Sequence, residues 1–322
     1  MDAITLDAYG PPANLRLVTL PDPEPGPGQA RVAVRAAGVH FIETLLRRGV
    51  PVGPHPAPAL PALLGGEVAG VVDAVGEGVD PALLGARVVT GDLESGGYAS
   101  LAVVEAASLL PLPEHVSYGA AVAMVTTGTT TMGLLELAPV TEADVVLVMA
   151  AAGGVGTLLV QHARQAGAAV VGAAGGAAKA ERVAALGAAL AVDYRELGWT
   201  DVVRERAGEV TVVFDGVGGR LGEEAFGLLA KGGRHVVYGQ AAGEWFRPAE
   251  EELAARDVTS HDGIGHLLSR PGGLGDLVES ALAEAAAGRL EPAVQEFPLR
   301  EAAAAHRALE ERRTMGKVVL TV

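Results

Sequence analysis

Cysteine is absent from the whole 322-residue chain. Disulfides, thiolate zinc ligation, iron–sulfur clusters and a cysteine nucleophile are thereby excluded. Lysine is scarce: only Lys179, Lys231 and Lys317 occur, and arginine supplies the other positive charges. A genome-wide codon bias accounts for that, and for the abundant alanine and glycine, without any bearing on chemistry. Positive charge as a whole is outnumbered, with 24 Lys and Arg against 39 Asp and Glu and a formal charge of −15. A surface this acidic repels phosphate backbones and anionic headgroups, so nucleic acid is not an expected partner. Met1 to Asp7 lacks a basic stretch leading into an apolar one, so no signal peptide is expected and the reading is a cytoplasmic protein. A membrane span is not expected either. Val116 to Leu135 and Val145 to Val160 are uncharged, but glycines interrupt both and threonines stud the first, and each reads as buried structure.

Hydrophobic residues make up 49% and charged residues 20%, the balance of a folded chain with a true core. At this length two domains are expected. Up to about residue 123, short apolar runs alternate with Pro and Gly punctuation, as in Pro21 to Gly28 followed by Ala30 to Val34. That pattern predicts a small β-rich domain. From Thr141 the texture changes to apolar strands with helical stretches between them, the signature of βαβ units and a parallel sheet. Six strands are predicted: Val145 to Met149, Ala169 to Ala173, Leu190 to Val192, Thr211 to Asp215, His235 to Tyr238 and Val258 to His261. After Gly263 come a helix from Leu274 to Ala287, a strand around Val294 to Phe297, a helix from Glu301 to Arg312 and a last strand, Lys317 to Val322. The last strand has no obvious place in a parallel sheet, so the tail is expected to rejoin the first domain. The predicted division is 1–123, 124–262 and a return segment 263–322.

Ala150-Ala151-Ala152-Gly153-Gly154-Val155-Gly156 directly follows a predicted strand and opens a helix. In that context the glycines let backbone N–H groups approach a pyrophosphate at the helix N-terminus, where the dipole favours negative charge. A binder of NAD places a carboxylate about 20 residues on, for the ribose hydroxyls. Here that stretch is Gly172-Ala173-Ala174-Gly175-Gly176, with Lys179 one turn into the next helix and no acid before Glu181. NADPH is therefore the expected cofactor, its extra phosphate accepted rather than repelled.

The order of these parts resembles the medium-chain dehydrogenase/reductase superfamily. Gly65-Gly66-Glu67-Val68-Ala69-Gly70 is similar to its Gly-His-Glu-x-x-Gly signature, with Gly66 where zinc-dependent members carry a histidine. A catalytic zinc needs three protein ligands and an open position; only His40 and Glu67 can be nominated, so no metal is expected. The chain more closely resembles the quinone oxidoreductase branch, known also from zeta-crystallin, over essentially its whole length. The segments that carry this are Gly38 to Thr44, the fingerprint with Gln161 after it, Phe214 to Gly218, Tyr238-Gly239-Gln240, and His306 to Glu310 leading to Thr314 to Leu320. The resemblance implies an α/β fold, a doubly wound six-stranded parallel Rossmann sheet plus a discontinuous β-rich GroES-like domain. It implies that Gly153, Gly154 and Val155 hold the pyrophosphate, and that Gly175, Lys179 and Tyr194 surround the 2′-phosphate. It implies further that Val217, Tyr238 and Gly239 line the nicotinamide ribose side, with Thr130 and Lys317 reaching the nicotinamide end. It also implies a homodimer, paired at the edge strand Val258 to His261.

Two departures bear on chemistry. The family usually has Asn at His40, and a tyrosine where this chain has Leu45-Leu46. His40 either replaces that tyrosine as a donor to a substrate oxygen, or is bonded to backbone for structural reasons. The leading expectation is an enzyme in which NADPH donates hydride to a quinone or to an activated alkene such as an enone, without metal. Alternatives are an enoyl-thioester reductase, with Arg47 and Arg48 either meeting a carrier-arm phosphate or forming a solvated pair at a helix end, and a non-catalytic NADPH-binding sensor.

Overall fold

Proline and glycine break the first part of the chain into short strands, because neither sustains a regular ladder. In order they are β1 (Asp2–Leu6), β2 (Leu15–Thr19), β3 (Gln29–Val39), the helix α1 (Phe41–Arg47), β4 (Ala62–Leu63), β5 (Val68–Val75), β6 (Arg87–Thr90), β7 (Leu101–Glu105), β8 (Leu110–Pro111) and the helix α2 (Tyr118–Ala123). A π-helical turn, Met124–Gly128, follows. The computed structural model describes residues 1–322, and the chain divides into two units, Met1–Thr126 with Leu282–Val322, and Thr127–Ala281.

The second unit runs α3 (Thr129–Leu137), β9 (Val145–Met149), α4 (Gly154–Gln165), β10 (Ala169–Ala174), α5 (Ala177–Ala185), β11 (Leu190–Asp193), α6 (Trp199–Ala207), β12 (Val210–Asp215), α7 (Gly219–Phe226), β13 (Leu229–Val237), α8 (Glu250–Arg256), β14 (Thr259–Asp262), α9 (Gly263–Ser269) and α10 (Gly275–Ala286). Its sheet is parallel throughout, in the order β11-β10-β9-β12-β13-β14. The strand order reverses beside β9, the switch point at which such sheets open a crevice for ligands. Alternate residues of the central strands enter two separate cores: Val146, Val148, Val212 and Phe214 one, Leu147, Met149 and Val213 the other. Both faces are therefore covered, which is why these strands read as unbroken apolar runs. All six predicted strands are present. β13 starts earlier than expected, at Leu229, because Lys231-Gly232-Gly233 masks its first half and a register shift between Val210 and Val212 accommodates it.

The return begins at Leu282 rather than at 263. The physical reason lies in α3, where Gly133 presents so little bulk that an added Cβ would come within 2.4 Å of Leu267 on α9. This close approach ties α9 to the second unit. Beyond it come β15 (Val294–Pro298), α11 (Ala302–Glu310) and β16 (Lys317–Thr321). β16 pairs antiparallel with β3 and parallel with β15, so the first unit has a seven-stranded sheet, β15-β16-β3-β5-β6-β8 with β7 on β3, besides a small sheet β2-β1-β4. Val32, Val34, Val68, Val72, Val318 and Leu320 are among the residues of its core. No helix is long and apolar enough to cross a membrane.

Candidate active site

In the second unit, the residues expected to hold a dinucleotide follow the carboxyl ends of the parallel strands, apart from Thr130 on α3. Gly153 caps α4 without any side-chain hydrogen bond, and Gly154 and Val155 form its first turn. Backbone N–H groups are thus what the helix offers there. Gly156 explains the fit of helix to strand: a Cβ would lie 2.4 Å from the Ala150 carbonyl oxygen and 2.7 Å from the Ala151 Cα. The turn before it is tight enough to put Ala150 at φ 52°, a left-handed conformation for a residue with a side chain. Residues and turn together fit a pyrophosphate.

At the end of β10, Gly175 lies against Tyr194, whose ring and hydroxyl would be 3.1 Å from an added Cβ. Lys179 is in the first turn of α5. The structure also brings in a carboxylate that the sequence reading did not see. Asp193 accepts from Gly176 N–H at 2.8 Å, and from the Arg195 N–H and guanidinium at 3.0 to 3.2 Å. Burial works against its charge, but the bonds from Arg195 and Gly176 outweigh that and hold its carboxyl below the usual range. Its negative charge is matched by Arg195 on the spot.

Further along the same edge, Asp215 at the end of β12 accepts from Val217 and Gly218 N–H at 2.8 and 3.0 Å and so shapes the turn that carries Val217. Its burial pushes its carboxyl up. Tyr238 and Gly239 follow β13. Each packs against Gly216, Gly239 so closely that a Cβ would meet the Gly216 carbonyl at 2.6 Å, and the Tyr238 hydroxyl donates to the Met149 carbonyl at 3.2 Å. Thr130 is in the first turn of α3. Ten of the eleven residues named for the cofactor therefore belong to this unit, and Lys317 does not.

Lys317 opens β16 in the first unit, beside His40 and Glu67. Register explains this: β3 lies between β16 and β5, Val39 opposite Val318 and Ala37 opposite Val68. Glu67 precedes β5, and its side chain crosses Gly38, where an added Cβ would lie 1.7 Å from Oε1. Only glycine leaves that passage open. The carboxylate takes the Lys317 ammonium in close contact and His40 Nε2 at 3.0 Å, while Lys317 Nζ stands 3.1 Å from His40 Nε2. Side-chain exposure is 1% for Glu67, 5% for Lys317 and 23% for His40, so the imidazole is the member that meets solvent. Burial alone would raise the Glu67 carboxyl, but the charges of His40 and Lys317 overcome it and hold it down at about 2. The nominated pair of zinc candidates is thus an acid already engaged by an ammonium, and no group of three or more His, Asp or Glu side chains is arranged to hold a metal ion. Sequence reasoning had both His40 and Lys317, but not Glu67 as their joint partner. The signal was the glycine at 38, two residues before His40 and opposite a carboxylate.

His40 also stands at the N-terminus of α1, where its N–H donates to Glu43 at 2.7 Å. Glu43 is buried and takes the Tyr98 hydroxyl at 2.6 Å; that hydroxyl lies 3.1 Å from His306 Nε2. Since the phenol already donates to Glu43, the imidazole of His306 donates to the phenol through Nε2. Burial pushes Tyr98 well up and, with Arg47 nearby, pushes His306 down to about 3. At the other end of α1, Arg47 corrects the expectation of a solvated pair. It is fully buried, bonded to the Gly10 carbonyl and paired with Glu310, while Arg48 alone is exposed. Nothing in the sequence distinguishes the two; the first faces the core because α1 turns it inward.

Models of two known domains match the chain: the alcohol dehydrogenase GroES-like domain over residues 26–114 and the zinc-binding dehydrogenase domain over residues 186–320. Quinone oxidoreductase of Salmonella typhimurium is 33% identical over 98% of each chain. A 2-haloacrylate reductase of Burkholderia is 32% identical over 99% of this chain and 98% of the relative. Among solved structures, Escherichia coli quinone oxidoreductase complexed with NADPH superposes with a TM-score of 0.86 at 30% identity, covering both chains completely. The chain belongs to the zinc-free quinone oxidoreductase branch of the medium-chain dehydrogenase/reductase superfamily.

Proposed function

We propose that the chain is an NADPH-dependent, metal-independent reductase of quinones or activated alkenes. The observation that carries this is the nucleotide-binding edge of the second unit: a glycine-built helix start at α4, and a β10 end beside which Asp193 is matched by Arg195. Gly153, Gly154 and Val155 bind the pyrophosphate through backbone N–H groups, and Gly175, Lys179 and Tyr194 receive the 2′-phosphate. Val217, Tyr238, Gly239 and Thr130 complete the nicotinamide side. When bound, NADPH supplies a hydride from its nicotinamide ring. Reducing an enone or a quinone places negative charge on a carbonyl oxygen, and a preorganised donor there lowers the barrier.

His40 is that donor. It is the exposed member of its group, its Nε2 is held by Glu67 at 3.0 Å, and the ring is fixed at the start of α1. A histidine so anchored is held in a set orientation. The thioester reading loses one of its supports, since Arg47 is buried against Glu310 and meets no phosphate.

Two measurements test this. Titration calorimetry is expected to show NADPH bound at least about tenfold more tightly than NADH, a difference of about 1.4 kcal/mol; equal affinities would overturn the cofactor assignment. With NADPH saturating, His40→Ala is expected to lower kcat about 100-fold for an enone. Unchanged turnover with both an enone and a quinone would remove His40 from the mechanism.

A further inference from the structure

The chain between β13 and α8 returns over the start of α7, where glycines make room for it. At Gly218, where φ is +70°, an added Cβ would lie 2.2 Å from the Glu244 carbonyl oxygen, and at Gly222 it would lie 2.9 Å from the Phe246 Cβ. Backbone bonds tie the same stretch down: the Ala241 N–H donates to the Gly216 carbonyl at 3.3 Å and the Ala242 N–H to the Val217 carbonyl at 2.8 Å. Residues 240–246 thus form a strap across the turn that carries Val217, next to Gly239. From 242 to 247 every residue except Phe246 is exposed. Phe246 turns into the core on that face, its ring 5.6 Å from Phe226 and 5.9 Å from His235, both of them buried. His235 is in turn bonded through Nδ1 to Ser260 on β14 at 3.0 Å. The aromatic ring is therefore what holds the outer end of the strap against the entropy of a free loop. Gly175, Lys179 and Tyr194 follow β10 and β11, on the far side of β9 from β12 and β13. The strap has no part in that half of the sheet.

We propose that Phe246 is a positioning residue for the nicotinamide end of NADPH: by seating the strap it fixes Val217 and Gly239 before the cofactor arrives, so that binding costs less loop ordering there. The proposal rests on the reading of Val217, Tyr238 and Gly239 as the nicotinamide side. Phe246 acts through the Val217 turn rather than by contact with the cofactor.

The test uses the full chain with NADPH and with adenosine 2′,5′-bisphosphate, which shares the phosphorylated adenosine but has no nicotinamide. In Phe246→Ala, titration calorimetry is expected to show NADPH bound about tenfold more weakly and the bisphosphate within about twofold of native. Phe246→Leu keeps an apolar anchor and is expected to recover most of the loss. Equal weakening of both ligands, the mark of a purely structural role, would overturn the proposal, as would native affinity for NADPH in a folded Phe246→Ala. Linkage gives a readout in the native protein, because a seated strap that favours the nicotinamide is favoured by it in the same factor. Amide hydrogen exchange at Ala241 and Ala242 is expected to be about tenfold slower with saturating NADPH than with the saturating bisphosphate. Equal exchange with the two ligands would overturn the proposal even if both variants failed to fold. A native protein that bound neither ligand would fail the cofactor reading, and this one with it.

Discussion

At the scale of single residues, the chemistry of the first unit depends on what is missing at Gly38. A methyl group there would occupy the path of the Glu67 carboxylate, 1.7 Å from Oε1. Gly38→Ala is expected to drive the carboxylate from Lys317 and His40, and to destabilise the protein by about 3 kcal/mol, since it combines overpacking with a broken buried ion pair. Urea unfolding checks the magnitude; a change under about 0.5 kcal/mol, the range of an ordinary surface substitution, would show that the carboxylate sidesteps the methyl. His40 and Lys317 stood out in the sequence, and Gly38 only as the start of a segment that carries the resemblance. That they share one carboxylate did not, because Glu67 is linked to them only through strand pairing.

At the scale of elements, α1 joins the polar groups of the first unit. Its start is His40, its first turn carries Glu43, and its last turn carries Arg47 in the core. Seven residues make a helix too short to be stable alone, so its position is set by those side chains rather than by propensity. Arg47→Ala leaves Glu310 without its partner and the Gly10 carbonyl without its donor, and opens a cavity. The expected loss is about 3 kcal/mol by chemical denaturation. An unchanged unfolding midpoint would mean that the buried pair contributes nothing net. Sequence periodicity placed the strands of the second unit closely, as a repeated βαβ unit buries both strand faces and writes long apolar runs. It was least informative for α1 and for β13, where tertiary contacts or a glycine pair override the local pattern.

At the scale of the molecule, acidity attacks three buried groups. His235 and His306 are each fully buried, burial lowering them to about 4 and about 3, with the charge of His261 and of Arg47 respectively adding to the effect. An unfolded histidine gains its proton near 6.5 while the folded one stays neutral, so stability is complete above pH 6.5 and falls as pH drops below it. Each histidine contributes a slope of about 1.4 kcal/mol per pH unit down to its folded value. Glu67, held near 2 against an ordinary 4.5, adds a further loss between pH 4.5 and 2. The melting temperature is therefore expected to fall steadily below pH 6.5. His306→Gln should flatten that fall, and an identical pH dependence in the variant would exclude His306 as a source.

Local sequence alone determined the glycine-rich turn, the order of strands and helices, the lack of cysteine ligands and the family, because each is written in residues that are neighbours along the chain. The tertiary structure decided the partners of charged groups. Asp193 faces Gly176, Arg47 enters the core, and Glu67 joins His40 to Lys317 across three strands. A charge is neutralised by whatever folding brings within a few ångströms, and that distance in space has no counterpart in distance along the sequence.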